Sequence, residues 1–466
     1  MAEKSPSTRR RLLQLSGATV AGILAGCSQS SGKKASTTTS SSTTSPTISS
    51  TIGTTNTTET TTGETTTEET SKSKLRTDYN SREKFGEPGT SFDDFEDASK
   101  WTAIQKTVTP DSSLSFNGTQ SLKLSTDSSK AVVAERRLDS PLDISKHDVS
   151  FAFRTENPRN VAFIVSMLDP NGNRAVLELR RVTEQAPDVG WFRTCPGVWE
   201  VSDTHPDFSN IVRIKLILNC TRKDGVQAHV DDMRLSPKPE KGYAILSWDD
   251  GDQNYYDQGA PINDKHGFPA VITMPTVPGR NKEPFYMTLD EYHERQKKGD
   301  EVVIHGAVRV KKGGGTVNQE FGKISPKELT HILRRNKQWM IDNGLNGADF
   351  VVYPGNNYDK TALDIINKYC YMGGFNQSAN VNTTGVYGFD PLVLPRTQGV
   401  HLDKSKRAVT LAAKYRQCTI LNFHNFNSHN TMSRSDYKKL LTHIDTTKGI
   451  EVITFSDLWD MRRSQH

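Results

Sequence analysis

The stretch Tyr243-Ala244-Ile245-Leu246-Ser247-Trp248-Asp249-Asp250-Gly251 decides the fold of the second half of this chain. Its first six residues are nearly all apolar, too few for a buried helix, and closed by an Asp-Asp-Gly turn. That pattern is a strand covered on both faces, as in a parallel sheet. Four more runs repeat it: Ala270-Val271-Ile272-Thr273-Met274, Glu301-Val302-Val303-Ile304, Phe350-Val351-Val352-Tyr353 and Thr419-Ile420-Leu421-Asn422-Phe423. Between them, residues 290–298, 325–343 and 433–443 carry helical patterns. Ser325-Pro326-Lys327-Glu328 supplies a cap, a first-turn proline and an acid at the head of the second. Alternation of this kind predicts an α/β barrel-like domain over residues 242–466, with its chemistry where the strands end.

Upstream, the pattern changes to short alternating runs and turn signals. Val149-Ser150-Phe151-Ala152-Phe153, Val161-Ala162-Phe163-Ile164-Val165 and Ile211-Val212-Arg213-Ile214-Lys215-Leu216-Ile217 are strand-like, with Asp169-Pro170-Asn171-Gly172-Asn173 and Lys223-Asp224-Gly225 as connections. Residues 85–238 are therefore expected to form an all-β sandwich. Ser236-Pro237-Lys238-Pro239 reads as a stiff hinge into the barrel.

The first 84 residues are of another kind. Ser7-Thr8-Arg9-Arg10-Arg11 precedes a short apolar stretch ending in Leu24-Ala25-Gly26-Cys27, which looks like a twin-arginine export signal (residues 1–26) with a lipobox. Cys27 is then the lipidated first residue of an exported protein anchored to the outer face of the cytoplasmic membrane. Between Ser28 and Ser73, 30 of 46 residues are Ser or Thr. Such a segment buries too little apolar surface to offset its ordering entropy, so residues 27–84 are read as a disordered Ser/Thr-rich stalk. The formal net charge of +5 includes +3 from the first 26 residues, and the remainder is too scattered to argue for nucleic acid. No run of about 20 apolar residues offers a membrane span.

Four cysteines remain beyond Cys27. Cys195 with Cys220 and Cys370 with Cys418 are candidate disulfides, and buried thiols are the equal alternative. Asn56, Asn117, Asn219, Asn376 and Asn382 head N-glycosylation patterns.

Two strand ends carry polar groups in company: Ser247-Trp248-Asp249-Asp250-Gly251 and Ile304-His305-Gly306. With Tyr353-Pro354-Gly355, Leu421-Asn422-Phe423-His424 and the closing Val452-Ile453-Thr454-Phe455-Ser456-Asp457-Leu458, the series over residues 242–463 resembles the polysaccharide deacetylase family, the carbohydrate esterases of family four. The resemblance implies a distorted (β/α)7 barrel that removes N- or O-acetyl groups from sugars with a divalent metal, usually Zn²⁺. By position Asp249 is the general base, Asp250 and His305 are metal ligands and His424 is the general acid. His429 is a fallback ligand.

The chain departs from that pattern at two places. The family's second histidine, four residues after the first, is Arg309 here, and guanidinium has no lone pair for a metal. The family's arginine two residues before the third motif's proline is replaced by Val352. Arg396, in Leu394-Pro395-Arg396-Thr397-Gln398, is the candidate to orient Asp249 in its place, with Tyr353 in support. Lys311-Lys312-Gly313-Gly314-Gly315 reads as a solvated loop.

The sandwich has its own resemblance, to carbohydrate-binding jelly rolls of the galactose-binding-like type, carried by Phe95-Glu96-Asp97, Trp101, Gly118-Thr119-Gln120-Ser121-Leu122 and Val230-Asp231-Asp232-Met233-Arg234-Leu235. It implies a structural Ca²⁺ site for which Glu96, Asp97, Asp231 and Asp232 are candidates. Trp191, Phe192 and Trp199 are candidates for a sugar-stacking platform. Together these readings give an anchored hydrolase acting on a polysaccharide or cell-surface glycan, with a catalytically degenerate glycan-binding lipoprotein as the alternative.

Overall fold

A computed structural model describes residues 73–465, apart from 128–129, 181, 183–187, 221–224, 276–284, 306–308, 313–314, 319, 377–380 and 427–430. The signal, Cys27, the stalk up to residue 72 and His429 lie outside the described residues, as do the side chains of Arg309 and Cys220.

The apolar runs of the second half close into a parallel barrel. Its strands are β13 (Gly242–Trp248), β14 (Val271–Met274), β15 (Glu301–Ile304), β18 (Gly347–Val352), β19 (Met372–Asn376), β20 (Leu394–Gln398) and β21 (Cys418–Phe423), and β21 returns to pair with β13. Closure is uneven at β13. Its last residues pair with β14, whereas Gly242 to Ala244 pair with a short strand, β22 (Ile450–Val452). Helices α2 (Ala260–His266), α3 (Leu289–Lys297), α4 (Pro326–Asp342), α5 (Lys360–Ile366), α6 (Leu402–Tyr415), α7 (Arg434–Thr446) and α8 (Phe455–Arg463) connect or follow the strands. The Ser325 hydroxyl caps α4 by accepting from the Glu328 amide at 3.3 Å, as Ser-Pro-Lys-Glu predicts. Lys311, Lys312 and Gly315 are not in a bare loop: β16 (Arg309–Lys312) pairs antiparallel with β17 (Gly315–Asn318).

The middle domain is two antiparallel sheets of six strands. One holds β3 (Thr107–Asp111), β4 (Ser121–Thr126), β12 (Val226–Pro237), β6 (His147–Thr155) and β9 (Phe192–Thr194), with β1 (Thr90–Asp93) also on β12. The other runs β10 (Val198–Val201), β8 (Arg174–Arg180), β7 (Val161–Leu168), β11 (Ile211–Cys220), β5 (Val132–Leu142) and β2 (Thr102–Gln105). Aromatic contacts join the sheets, with Phe163 of β7 4.9 Å from Phe153 and 5.5 Å from Phe151 of β6, centroid to centroid. Burial of both inner faces is the main stabilising term for such a sandwich.

Sandwich and barrel meet along a bonded seam, not a hinge. The Gly197 amide donates to the Thr383 carbonyl (2.7 Å) and Gly385 to Cys195 (2.9 Å), while Lys238 pairs with Asp148 and donates to the Tyr415 carbonyl at 3.1 Å. β12 runs through Pro237 and β13 begins at Gly242, so the proline segment is short and held at both ends.

The stalk reading extends too far toward the head. Residues 73–86 pack on the barrel through a short helix, α1 (Ser81–Lys84). Phe85 lies in a core with Phe455, Leu458 and Trp459, and the Arg82 guanidinium grips Asp390 at 2.9 Å. Thr77 and Ser81 also bond to the barrel, their hydroxyls donating to the carbonyls of Asn367 (2.7 Å) and Tyr371 (2.8 Å), and the Ser/Thr composition before them concealed this end. Of the two readings of the cysteines the structure has the thiols: Cys195, Cys370 and Cys418 are buried and free. Burial pushes the Cys370 thiol up to about 12. Asn382 is no glycan acceptor in the folded chain, being buried with its amide donating to the Arg396 carbonyl at 2.9 Å.

Candidate active site

Every sequence-derived catalytic candidate that is described sits at the carboxyl ends of barrel strands. Asp249 follows β13 and is 4% exposed, and its amide donates to the Phe423 carbonyl at 2.8 Å. The chain then turns through left-handed conformations at Asp250 (φ 69°) and Gly251 (φ 62°). Gly251 is required twice over, because a side chain there would also collide with Pro275 and the Tyr292 hydroxyl. This turn sends the adjacent carboxylates to different surroundings: Asp249 into the barrel, Asp250 half-exposed toward β15.

Arg396 reaches Asp249 from β20 as a two-pronged ion pair. Nη1 donates to Oδ1 and Nη2 to Oδ2, both at 2.9 Å, and Nη1 also donates to the Ser247 hydroxyl at 3.0 Å. Burial alone raises a carboxyl pKa, but the Arg396 charge and its hydrogen bonds outweigh it, with His305 and His424 adding to them, and hold Asp249 below its ordinary value. Ser247, two residues before Asp249 on the same face of β13, is the part that sequence reasoning missed; its signal was the period of two along a strand.

His305, one residue past β15, is 5% exposed. Its Nδ1 lies 3.2 Å from the Val352 carbonyl and its Nε2 lies 3.2 Å from Asp250 Oδ1. A backbone carbonyl only accepts, so Nδ1 carries hydrogen and Nε2 faces the carboxylate. When the ring is neutral, two lone pairs confront each other and a cation must join them, either a proton or a metal ion. Burial lowers the His305 pKa, yet the Asp250 hydrogen bond and the two carboxylate charges raise it overall. A histidine fixed on one nitrogen by a carbonyl and presenting the other to a carboxylate oxygen is the donor chemistry of a metal site, so this pair fits a divalent ion. It is one protein donor short of a three-ligand site, since no group of three His, Cys, Asp or Glu able to hold a metal occurs among the described residues.

His424 follows β21, half-buried, and the parallel register Trp248↔Phe423 sets it beside Asp249. The loops beyond both strands are latched: Asn425 Nδ2 donates to Asp252 Oδ2 (3.1 Å) and the Phe426 amide to Asn254 Oδ1 (2.9 Å). Phe285, 75% exposed, lies on this rim, its carbonyl accepting from the Gln253 amide at 3.0 Å. Tyr353 serves as scaffold: its hydroxyl donates to the Leu392 carbonyl at 2.6 Å and its ring packs on Tyr358.

The sandwich candidates do not converge. Asp232 is paired with the guanidiniums of Arg193 and Arg234, Asp231 Oδ2 accepts from the amides of Phe116 (2.7 Å) and Asn117, Glu96 accepts from the Thr119 amide (2.8 Å) and hydroxyl, and Asp97 caps Ser99. A carboxylate held by two arginines has no charge left for Ca²⁺. Nor do the aromatics form a platform. Phe192 is core, and Trp199 lies under Arg407 of α6 at 4.9 Å. Trp191 is half-buried against Phe116 and His229.

No protein-family model matches the chain, and no curated protein does. Solved structures similar to it include the Xyl-CE4 domain of a multidomain xylanase from the hindgut metagenome of Trinervitermes trinervoides (14% identity, 48% of this chain and 92% of that one, TM-score 0.34). A family 4 carbohydrate esterase from Streptomyces lividans in complex with acetate is similar at 12% identity over 46% of this chain and 92% of that one, with TM-score 0.32. A non-crystalline cellulose specific carbohydrate-binding module, CBM28, is similar at 16% identity over 32% of this chain and 96% of its own, with TM-score 0.25.

Proposed function

We propose that this chain is a carbohydrate deacetylase, a hydrolase that removes acetyl groups from N- or O-acetylated glycans and, for the N-acetyl case, cleaves non-peptide C–N bonds. The observation that carries this reading is the buried Arg396–Asp249 pair at the end of β13, with Asp250, His305 and His424 around it. Deacetylation needs a base kept ionised, an acid for the leaving group and positive charge at the carbonyl oxygen. Arg396 keeps Asp249 ionised, so Asp249 takes the proton of the water that attacks the acetyl carbon. His424 gives a proton to the departing nitrogen or oxygen as its bond to that carbon breaks, and acetate leaves. Asp250 and His305 would hold a divalent ion, Zn²⁺ on the family pattern, which when bound supplies Lewis acidity toward the carbonyl. On the same reading, export and lipidation at Cys27 place the enzyme on the outer face of the membrane, where its polymer lies.

A second reading, a glycan-gripping protein without catalysis, is favoured by the shortage of a third protein donor among the described residues. Elemental analysis of the purified protein beside an Asp250→Ala variant separates the two, together with acetate release from acetylated glycans. About one equivalent of metal, lost in the variant, and acetate release that falls at least 100-fold in Asp249→Asn support the enzyme. Glycan binding with neither metal nor acetate establishes the second reading.

A further inference from the structure

A second ligand site, which does not depend on that activity, lies on the seam between sandwich and barrel. A cavity of about 250 Å³ opens there between the start of β6 and the end of α6. Gln417, on its wall, immediately precedes β21, and His424 immediately follows it. Six strand residues at roughly 3.3 Å each put this cavity about 20 Å from the catalytic candidates, at the opposite end of the barrel.

Its charges do not balance. Lys238 is matched by Asp148. Lys414 donates to the neutral His205 ring at 2.6 Å and Arg416 to the Ser145 carbonyl at 2.9 Å, and among the described residues neither has a carboxylate partner. Burial and the Lys414 charge both push the His205 pKa down, so that ring takes no charge from solvent at neutral pH. Two positive charges are therefore left facing the cavity.

Its wall is aromatic, with Phe208 and Tyr415 edge to face at 5.9 Å and His205 beside both. A simple anion satisfies the cations and leaves the aromatic wall uncovered, while a neutral sugar does the reverse.

We propose that this cavity binds one acidic sugar residue of a glycan chain. Its carboxylate meets Lys414 and Arg416, and its apolar face lies on Tyr415 and Phe208. The volume suits a single ring. The site would hold an acidic polymer on the protein at a point remote from the strand ends.

Calorimetry with tri-galacturonate, cellotriose and sodium acetate tests this, on the native protein and on Lys414→Met, whose side chain is exposed. The expected result is binding of tri-galacturonate alone, weakened at least 10-fold in the variant while its circular dichroism is unchanged. No binding of tri-galacturonate, equal binding of cellotriose or acetate, or unchanged affinity in Lys414→Met each overturns the proposal.

Discussion

Arg396 concentrates the chemistry of this site in one side chain. It closes both oxygens of a carboxylate that is 4% exposed, inside a barrel where an unpaired charge is costly to hold. Because its folded pKa is depressed, Asp249 contributes stability that is present above the ordinary carboxylate range and lost as pH falls through the depressed value. Arg396→Met removes the partner and leaves burial to act alone. The expected outcome is a loss of about 3 to 5 kcal/mol at pH 7 in denaturant unfolding. The acid limb of the pH–rate profile should also move upward. Arg396→Lys keeps the charge without the fork and should fall between. An unmoved acid limb in Arg396→Met would mean that the arginine is only structural. Sequence reasoning reached this arginine through the absence of another at position 352. Asp232 shows the converse: composition displays its carboxylate but not its partner Arg193, which comes from a strand nearly forty residues away.

At the scale of elements, strands with uninterrupted apolar runs were legible and those shaped by their neighbours were not. β13, β14, β15, β18 and β21 follow directly from their side chains, whereas β19 contains Gly373-Gly374 and β20 contains Pro395, which interrupt any apolar run. Those residues answer packing needs. A Cβ on Gly374 would come within 3.3 Å of Arg396 Cδ, so the glycine clears the path by which the arginine reaches Asp249. A strand that yields to a neighbour's side chain loses its own pattern. β15 and α8 form a further coupled pair, in which Glu301 accepts from the amides of Phe455 (2.8 Å) and Ser456 (3.2 Å) and from the Ser456 hydroxyl. Burial outweighs these donors and raises Glu301 from 4.5 to about 7. The folded state therefore holds a proton that the unfolded chain releases. Its contribution is fully present below about pH 4.5 and lost as pH rises to about 7, on the order of 3 kcal/mol. Glu301→Gln should flatten unfolding free energy across that window, and a slope that persists in the variant would assign it to other groups.

Across the whole molecule, the boundary that matters lies near residue 73, ahead of the sandwich. The segment carrying α1 crosses the barrel before the chain enters the sandwich, so the barrel is completed by residues that precede both domains in sequence. Phe85 packs edge to face on Trp459 at 5.2 Å, and its carbonyl accepts from Arg462 at 2.7 Å. Arg82 ties Asp390 of the barrel to the Trp191 carbonyl of the sandwich at 2.8 Å. A segment joined to both bodies is part of their cooperative unit, and its removal should destabilise the barrel even though the barrel begins about 160 residues later. Phe85→Ala deletes a buried aromatic and should cost about 3 to 5 kcal/mol. In a thermal melt that lowers the midpoint by roughly 5 °C, given an unfolding entropy of about 2.1 cal/mol/K per residue for a cooperative unit that spans both bodies. A fragment beginning at residue 90 should melt at least as low, whereas one beginning at residue 73 should match the full chain. If the fragments from 73 and 90 melt together, the segment is a passive lead-in. The stalk would then join the folded head at residue 85, where composition alone had put it.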